Sequence, residues 1–266
     1  MFAIERQRRL LGFVNEQGSI RIASVSQALN VTSETIRRDL DTLASEGKLL
    51  RSHGGAVRLD EAQGDTPFQQ RQEVNSAEKT SVSETALQCI QAGETIALDA
   101  SSTAWYLARR LPDMPLTVLT NSLQVVLELS NRERIDVIST GGILRSTSMS
   151  FIGPLADDAV KQYHVNKAFL SCEGLHPVYG VSDSNELQAM IKRRMASIAD
   201  EVYVIADHTK FGTRAFAHVV GVDKVDVIIS DSIVDDALAD SFSSRGVQVR
   251  CGDGRHESSG KRVVRV

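Results

Sequence analysis

Cysteine, proline and aromatic residues are scarce in this sequence. Its 266 residues include three cysteines, five prolines and one tryptophan, and aromatic residues make up 5% of the chain. The cysteines lie far apart, at Cys89, Cys172 and Cys251, and are too few for a disulfide framework or a cysteine-rich zinc site. We therefore expect no structural disulfide and no metal, and nothing in the sequence indicates a cofactor.

Long apolar runs are also missing. No segment approaches the roughly 20 apolar residues that a membrane-spanning helix requires, and the first residues lack the apolar stretch of a signal peptide. We therefore expect a cytoplasmic protein that has no membrane partner. The length is sufficient for one small and one larger domain, each with its own core.

Neither sign of charge dominates. The chain is 42% hydrophobic and 24% charged, with a net charge of −4, which is ordinary for a globular protein. Residues 1–60 contain nine Lys or Arg against seven Asp or Glu. This local excess is too small to indicate nucleic-acid binding, so that function must be argued from the positions of the charges.

Hydrophobic spacing near the start of the chain predicts three short helices. Apolar residues recur at helical spacing over residues 3–16 and again over residues 23–29. A turn follows, and Thr32 or Ser33 can cap a third helix by accepting hydrogen bonds from its first N–H groups. The last two helices have the order of a helix-turn-helix, in which the second helix enters the DNA major groove.

The third helix has an apolar side and a basic side. Ile36, Leu40 and Leu43 recur at positions i, i+4 and i+7 and must face the core. The residues on or beside the opposite side that we predict to contact DNA are Thr32, Ser33, Thr35, Arg37 and Arg38. Alternatively, the two arginines only solvate a surface helix next to the neighbouring carboxylates.

A short extended segment and a pair of glycines follow the third helix. Residues 48–51 predict a strand, and Gly54-Gly55 is typical of a hairpin turn. A β-hairpin after a recognition helix is the wing of a winged helix-turn-helix, and Arg51 and His53 on it could reach phosphates or the minor groove. His53 has an alternative role, a hydrogen bond within the turn.

Two motifs in this region, Thr35-Ile36-Arg37-Arg38-Asp39-Leu40 and Arg51-Ser52-His53-Gly54-Gly55-Ala56, resemble the signature of the DeoR family of bacterial transcriptional regulators. The resemblance extends from about residue 5 to about residue 250. It implies a winged helix-turn-helix joined to a larger α/β domain, similar to ribose-phosphate isomerase and CoA-transferase, with a mainly parallel sheet. It also implies two partners, a double-stranded DNA operator and a sugar-phosphate effector.

Composition divides the chain into four segments. We expect a DNA-binding domain over residues 1–58, a polar linker over 59–78, a sugar-phosphate-sensing domain over 79–252 and a flexible tail over 253–266. Phe68 is one of the few apolar residues in the linker, and we expect it to anchor that segment to one of the domains.

From residue 79 onward, helical and extended patterns alternate. The strands are predicted at residues 95–99, 116–120, 135–139, 167–172, 202–206 and 225–229, and the helices at 79–91, 103–111, 122–129 and 186–198. This alternation predicts a mainly parallel sheet that is covered on both faces. In the last of these helices, the charged residues 192–194 are expected to form a solvated face.

Polar loops follow several of the predicted strands. In parallel sheets ligands bind beyond the carboxyl ends of the strands, where loops lead into helix amino termini. Hydroxyl and N–H groups at such a position suit a phosphate dianion, and a lysine adds positive charge. By the family resemblance the ligand is a phosphorylated sugar, and the candidate ligand-binding residues are Asp99, Ser101, Ser102, Thr103, Thr120, Asn121, Gly141, Gly142, Glu186 and Lys210.

These candidates also have ordinary structural explanations. Serine and threonine before a helix are common caps, Gly141-Gly142 can form a simple turn, and Lys210 can be a surface residue. Asp183 and Glu186 can complement a helix dipole instead of binding sugar hydroxyls. Ser101 stands where family members often have glycine, so its Cβ could tighten the pocket or prevent a glycine-only backbone angle.

Two functions are compatible with these patterns. The first is a repressor of a carbohydrate-catabolism operon, acting as a homo-oligomer, whose DNA affinity changes when a sugar phosphate binds. The second is a sugar-phosphate isomerase-like enzyme that uses Asp99, Glu186, Asp207 and Lys210 as acid, base and electrostatic groups. No loop clusters several carboxylates, and an enzyme needs no DNA-binding head. The sequence therefore favours the regulator, and we assign no catalytic residue.

Overall fold

The computed structural model describes residues 3–17, 19–46, 48–52, 54–57, 66–232 and 236–252. The chain divides into two compact units, a smaller one within residues 1–64 and a larger one that contains most of residues 65–266. In the described part of the chain, no helix is both long and apolar enough to cross a membrane.

In its described residues, the smaller unit combines three helices with a small antiparallel sheet. Its elements are α1 (Ala3–Gln17), β1 (Ser19–Arg21), α2 (Ile22–Leu29), α3 (Ser33–Ser45), β2 (Leu50–Ser52) and β3 (Gly55–Val57). Strand β3 lies between β1 and β2 and pairs antiparallel with both. A helix-turn-helix followed by a hairpin is a winged helix-turn-helix, as the sequence predicts.

The core of the smaller unit follows the predicted helical spacing. Ile36, Leu40 and Leu43 of α3 are all buried and pack with apolar residues of α1 and α2. Between α2 and α3 the chain turns at Asn30, whose φ of 52° lies in the left-handed region that asparagine tolerates. The apolar stripe on α3 therefore fixes which side of that helix remains exposed.

Gly55 allows the hairpin to approach β1 closely. A Cβ atom at this position would lie 1.7 Å from the carbonyl oxygen of Ile20, whereas one at Gly54 would meet nothing within 4 Å. The glycine pair predicts a turn, but Gly55 is the first residue of β3 and is paired with Arg21 of β1. It is required there because the two backbones leave no room for a side chain.

The larger unit alternates strands and helices. In chain order its strands are β4 (Thr95–Leu98), β5 (Leu116–Thr120), β6 (Ile135–Ser139), β7 (Ile143–Arg145), β8 (Ser150–Ile152), β9 (Val165–Leu170), β10 (Gly174–His176), β11 (Gly180–Asp183), β12 (Ala199–Ile205), β13 (Ala217–Val220), β14 (Val227–Ser230) and β15 (Gln248–Cys251). Its helices are α4 (Phe68–Glu73), α5 (Ser76–Leu87), α6 (Ser102–Arg110), α7 (Leu123–Leu129), α8 (Pro154–Lys161), α9 (Glu186–Ser197) and α10 (Asp236–Ser243).

Seven of these strands form one parallel sheet, in the order β15-β14-β12-β9-β4-β5-β6. Strands β10, β11 and β13 form a separate antiparallel sheet, and β7 pairs with β8 as a hairpin. The predicted α/β fold with a mainly parallel sheet is confirmed.

Side chains along the central strands alternate between two covered faces. On β4, Ile96 and Leu98 belong to the same apolar cluster as Phe68 and Trp105, whereas Ala97 packs with residues of α8 and α9. Burial on both faces explains why these strands are almost continuously apolar in the sequence.

The larger unit begins before the predicted boundary at residue 79. That boundary lies inside α5, and α4 lies within the segment that we expect to be a linker. Phe68 anchors the segment as expected: it is 2% exposed, and its ring lies edge-on to that of Trp105, with the centroids 6.0 Å apart. One buried aromatic residue holds an otherwise polar segment on the domain, which composition alone does not reveal. The predicted tail, residues 253–266, lies outside the described residues.

Candidate DNA-binding and ligand-binding sites

The start of α3 is capped by the first of the two predicted residues. Thr32 has extended backbone angles, and its Oγ1 accepts a hydrogen bond from the backbone N of Thr35 at 3.3 Å. The two threonine hydroxyls are also hydrogen-bonded, 2.9 Å apart. Ser33 is the first residue of the helix rather than its cap. Three of the predicted DNA-contacting residues thus lie together at the amino end of α3.

Arg37 and Arg38 lie on the exposed side of α3. Their side chains are 56% and 80% exposed, and each has a guanidinium nitrogen 3.5 Å from a carboxylate oxygen of Glu34. Exposed pairs of this kind contribute little to stability, because water screens them and the long side chains lose entropy. The two guanidinium groups can therefore exchange Glu34 for a phosphate or a base edge at little cost.

Asp39, the third residue of the Arg-Arg-Asp motif, has a different role. It is buried, and its carboxylate accepts hydrogen bonds from Arg6 (Nη2–Oδ1, 3.1 Å) and Gln7 (Nε2–Oδ1, 3.3 Å). Both donors belong to α1. Asp39 therefore holds α3 against α1, while the preceding arginines remain exposed.

Arg51 joins the hairpin to α3. Its Nε donates to Oδ1 of Asp41 at 2.7 Å, and its Nη1 donates to the carbonyl oxygen of Gly55. These bonds hold the wing beside the recognition helix. Contact between Arg51 and DNA stays a prediction, and His53 lies outside the described residues.

A cavity of about 150 Å³ lies at the carboxyl ends of β4, β9 and β12 in the larger unit. This volume is well above the roughly 10–15 Å³ that one water requires, so the cavity can hold a ligand of several heavy atoms. Its lining residues come from the loops after these strands and from α4, α5 and their flanks: Thr66, Arg71, Val74, Asn75, Lys79, Ser101, Ser102, Thr103, Ser171, Cys172, Glu173, Ile205, Ala206, Asp207 and Lys210.

The amino terminus of α6 forms one wall of the cavity. Ser101 is its N-cap, with extended backbone angles (φ −86°, ψ 159°), and its Oγ accepts from the backbone N of Ala104 at 3.0 Å. Serine therefore replaces the family's glycine here without strain. In the described part of the chain, the backbone N–H groups of Ser102 and Thr103 have no acceptor. Such groups at a helix start bind anions.

Lys79 is a buried cation on the cavity wall. It is 7% exposed, and its Nζ donates to the carbonyl oxygens of Arg71 (2.6 Å) and Val74. Among the described residues, no carboxylate forms an ion pair with it. Burial lowers the pKa of Lys79, and the charges of Lys210 and Arg71 lower it further, whereas Asp207 opposes them. A bound anion would relieve this unfavourable environment.

Lys210, in contrast, already has a carboxylate partner. Its Nζ lies 2.6 Å from Oε2 of Glu173. Burial alone would lower the pKa of Lys210, but the attraction and hydrogen bond of Glu173 outweigh it, so that the pKa is raised. Asp207 is occupied as well, because its Oδ1 accepts from the backbone N of Thr209 at 3.0 Å. The lining thus has three cations against two carboxylates, and Lys79 and Arg71 are the cations that form no ion pair among the described residues.

Asp99 does not line the cavity but joins two loops that do. It accepts hydrogen bonds from the backbone N of Ser101 (3.1 Å) and of Ser171 (2.8 Å). It also lies 3.2 Å from Nζ of Lys192, which in turn lies 2.6 Å from Asp183. Burial alone would raise the pKa of Asp99, but Lys192 and the hydrogen bonds hold it below its usual range. Asp99 is thus a positioning residue.

The expectation of a solvated face at residues 192–194 is wrong for its first member. Lys192 is 5% exposed and is enclosed by the two carboxylates and by Ser171, to whose carbonyl oxygen it donates at 2.9 Å. Its neighbour Arg194 is also engaged, because its Nε donates to Asp157 at 2.9 Å. A lysine in a run of basic residues looks solvated in the sequence, since its partners are 93 and nine positions away at Asp99 and Asp183.

Five other predicted ligand-binding residues are not part of the lining: Thr120, Asn121, Gly141, Gly142 and Glu186. Thr120 is the last residue of β5, Asn121 follows it, and Gly141 and Gly142 follow β6. These strands lie one and two strands beyond β4 in the sheet, whereas the cavity is at β4, β9 and β12. Glu186 is the first residue of α9. The structure therefore does not bring these five residues into the lining of this cavity, and their contact with a ligand stays a prediction.

The residues outside the lining have structural roles. The hydroxyl of Thr120 donates to the carbonyl oxygen of Leu98 at 2.7 Å, and Nδ2 of Asn121 donates to that of Phe151 at 3.1 Å. Gly141 and Gly142 have φ angles of 60° and 107° and turn the chain into β7. For these glycines the structure agrees with the alternative of a simple turn.

Sequence reasoning missed several lining residues. Arg71 and Lys79 lie in or next to the segment that polar composition marks as a linker, and the buried Phe68 was the available signal that this segment packs on the domain. Cys172 was missed because the strand was predicted to continue to residue 172, whereas β9 ends at Leu170. Burial raises the pKa of Cys172 to about 12, so it lines the cavity as a neutral thiol.

Comparison with known proteins gives matches along most of the chain. A family model of the DeoR-like helix-turn-helix domain matches residues 6–62, and one of the DeoR C terminal sensor domain matches residues 74–232. An uncharacterized HTH-type transcriptional regulator of Bacillus subtilis, YulB, is 46% identical over 94% of this chain and 96% of its own length.

Two further relatives carry names that refer to sugar operons. The L-fucose operon activator of Haemophilus influenzae is 35% identical over 88% of this chain and 94% of its own length. A putative aga operon transcriptional repressor of Escherichia coli O157:H7 is 30% identical over 92% of both chains. Among solved structures, ribose 5-phosphate isomerase A of Methanocaldococcus jannaschii is similar, with a TM-score of 0.40 and 17% identity over 52% of this chain and 55% of its own.

Proposed function

The chain belongs to the DeoR family of DNA-binding transcriptional regulators, and from that premise we propose that it represses a carbohydrate-catabolism operon under the control of a phosphorylated sugar. The family match describes a DNA-binding domain and a sensor domain, and so identifies a regulator rather than an isomerase-like enzyme. The single observation that supports a phosphorylated effector is the composition of the cavity beside α6.

The proposed position of the phosphate is between the amino terminus of α6 and the two cations without carboxylate partners. Ser102 and Thr103 offer free N–H groups, and Lys79 and Arg71 offer positive charge. Charged hydrogen bonds of this kind are about twice as strong as neutral ones. The sugar would then extend toward Glu173 and Lys210, whose charged groups can bond its hydroxyls.

The sugar class and the direction of control are part of the proposal. The names of the relatives support a carbohydrate operon, and one of them refers to L-fucose, a 6-deoxyhexose. One relative is named as an activator and another as a repressor. We favour repression that is relieved by the effector. This requires the effector to bind the protein conformation of low DNA affinity more tightly than the conformation of high DNA affinity.

The proposal includes oligomerisation and a cellular location. Heads of this size generally bind DNA as symmetric pairs, each on one half-site, so we expect a homodimer or a tetramer. The operator and the proposed effector meet in the bacterial cytoplasm, and the protein is expected to act there.

A thermal-shift screen tests the proposed effector. The full-length protein is heated with phosphorylated pentoses, hexoses and 6-deoxyhexoses, and each unphosphorylated sugar serves as the matched control. An effector at a hundred times its Kd should stabilise the protein by about 2.7 kcal/mol, which raises the melting temperature measurably. Equal shifts with and without the phosphate, or no shift with any sugar, would contradict the proposal.

The sugar that stabilises the protein is then added to a complex with operator DNA, which the protein itself selects from a random pool. Release of the DNA in a gel-shift titration is the result expected of a repressor with an inducer. Tighter binding in the presence of the sugar would show that the proposed direction of control is wrong.

A further inference from the structure

Helix α4 is held to the larger unit by hydrogen bonds to its backbone carbonyl groups. The carbonyl oxygens of Arg71 and Val74, at the carboxyl end of the helix, both accept from Nζ of Lys79. The carbonyl oxygen of Gln72 accepts from the hydroxyl of Tyr106 in α6, at 3.1 Å. These are groups that a helix leaves without partners at its end. Side chains of α5 and α6 therefore complete the end of α4.

Lys79 differs from Tyr106 in one respect, because it also lines the cavity. An ammonium group has three N–H donors, and Lys79 uses its Nζ to bond two carbonyl oxygens of α4 and no other group in the described part of the chain. One donor is thus left for an anion in the cavity. The same group can bond α4 and a bound anion at once.

We infer that α4 is a ligand-responsive element and that Lys79 is the positioning residue that links it to the cavity. The inference rests on the proposed function, since it requires an anion beside Lys79. Without an anion, this buried ammonium has Asp207 and Glu173 as well as Lys210 and Arg71 nearby, but no carboxylate at ion-pair distance among the described residues. An anion keeps Lys79 charged and fixes the position of its ammonium group. The hydrogen bonds from this group to the carbonyl oxygens of α4 are then more persistent.

Arg71 gives α4 a second connection to the cavity. It belongs to α4 and lines the cavity, and its side chain donates to the carbonyl oxygens of Thr66 (3.0 Å) and Ser148 (3.5 Å). An anion that contacts Arg71 and Lys79 thus engages α4 through a side chain and through its backbone. Of the described helices, α4 is the first that follows the DNA-binding head in the chain. The effector can therefore change how readily α4 opens, at the point in the chain where the sensing domain begins.

Amide hydrogen exchange of the full-length protein tests this inference, with inorganic phosphate as the probe and potassium chloride at equal ionic strength as its control. If α4 can open only when the anion has left, its exchange slows by about tenfold at a phosphate concentration ten times Kd. We expect this slowing in residues 68–75 and in the first turn of α6, and none in α10, which does not line the cavity.

Three variants separate a ligand-dependent link from a merely structural one. Tyr106→Phe removes a hydrogen bond to α4 but no group of the cavity, so α4 should exchange faster than in the parent and still slow with phosphate. In Lys79→Met, α4 should exchange faster, and its response to phosphate should fall to the part that Arg71 and the Ser102 hydroxyl, which donates to the carbonyl oxygen of Arg71, still carry. Lys79→Arg keeps the charge and should respond to phosphate more than Lys79→Met does, and it provides the test if the methionine variant does not fold.

The outcomes distinguish the inference from the function on which it rests. Phosphate protection of α6 without protection of α4 in the parent overturns the inference, and the effector site stands. A full response of α4 in a folded Lys79→Met protein also overturns it, because Lys79 is then not the link. No response anywhere in the parent overturns both the inference and the proposed phosphate position.

Discussion

Lys192 holds together the buried polar groups that support the cavity loops after β4 and β9. It lies between two buried carboxylates, Asp99 and Asp183, and these three side chains carry more negative than positive charge. Attraction outweighs the effect of burial, so the pKa of Lys192 is raised and the side chain stays charged. Burying such a cluster costs desolvation free energy. Removing one member costs more stability, because it leaves a buried charge without a partner.

We expect Lys192→Met to destabilise the larger unit by about 3–5 kcal/mol, the cost of breaking a buried ion pair. Urea unfolding measures this loss. Lys161→Met is the matched control, because Lys161 also pairs with two aspartates, at 2.7 Å each, but is more exposed. A similar loss in both variants would contradict a special role of the buried cluster.

The same cluster has a predictable response to acid. The pKa of Asp99 is lower in the folded protein than its usual value. Its contribution to stability is therefore complete above the usual carboxyl range and disappears as the pH falls through the lowered pKa.

At the scale of elements, α3 separates two functions within one short motif. Asp39 bonds α1, and Ile36 and Leu40 pack in the core, so these residues fix the orientation of the helix. Arg37 and Arg38 then occupy the side that remains free to enter a groove. Contacts of arginine with base edges specify sequence, whereas contacts with phosphate mainly contribute affinity.

We expect Arg38→Ala to weaken operator binding by about 1–3 kcal/mol if Arg38 contacts a base edge, which is roughly 5-fold to 150-fold in Kd. A gel-shift titration with the selected operator measures it. The chain offers a matched control in Arg9→Ala, since Arg9 is an exposed arginine that pairs with Glu5 four residues away, as Arg38 pairs with Glu34. Equal effects of the two substitutions would refute the assignment of α3 as the reading helix.

Elements with a clear period were predictable from the sequence, and those without one were not. The helical stripe of α3 and the apolar strands β4, β5 and β6 were each located to within one or two residues. Strands β7 and β8 are three residues long, too short for an alternating pattern to be visible. Helix α4 lies in a polar segment and is held by contacts with side chains that follow later in the chain.

The candidate site was predictable only where it depends on local chemistry. Ser101, Ser102 and Thr103 were identified because hydroxyl residues before a helix have a local signature. The loops after β5 and β6 were grouped with them but do not line this cavity, and the sequence does not show this because strand order is set by pairing between distant segments. For the same reason Lys79 could not be found: its role depends on the carbonyl groups of Arg71 and Val74 and on the cavity behind them.

At the scale of the whole molecule, the proposed symmetric assembly makes a prediction about operator spacing. Two heads that are fixed in one oligomer bind half-sites on the same side of the duplex, about 10–10.5 base pairs apart or a multiple of this distance. Insertion of five base pairs between the half-sites should therefore weaken binding strongly, and insertion of ten should restore much of it. Gel shifts with the three spacings and with a single half-site measure the effect. Equal affinity for all four duplexes would indicate that the heads bind independently.

The order of strands in the large sheet also determines when each part of the protein can be completed during synthesis. Strand β4 pairs with β9, so the central pair of the sheet cannot form before the ribosome has made Leu170, whereas the strands described in the head are complete by Val57. At 5–20 residues per second, translation of the segment between them takes roughly 6–23 s. For that interval, each new chain carries a complete set of DNA-reading elements before any means of sensing a metabolite exists.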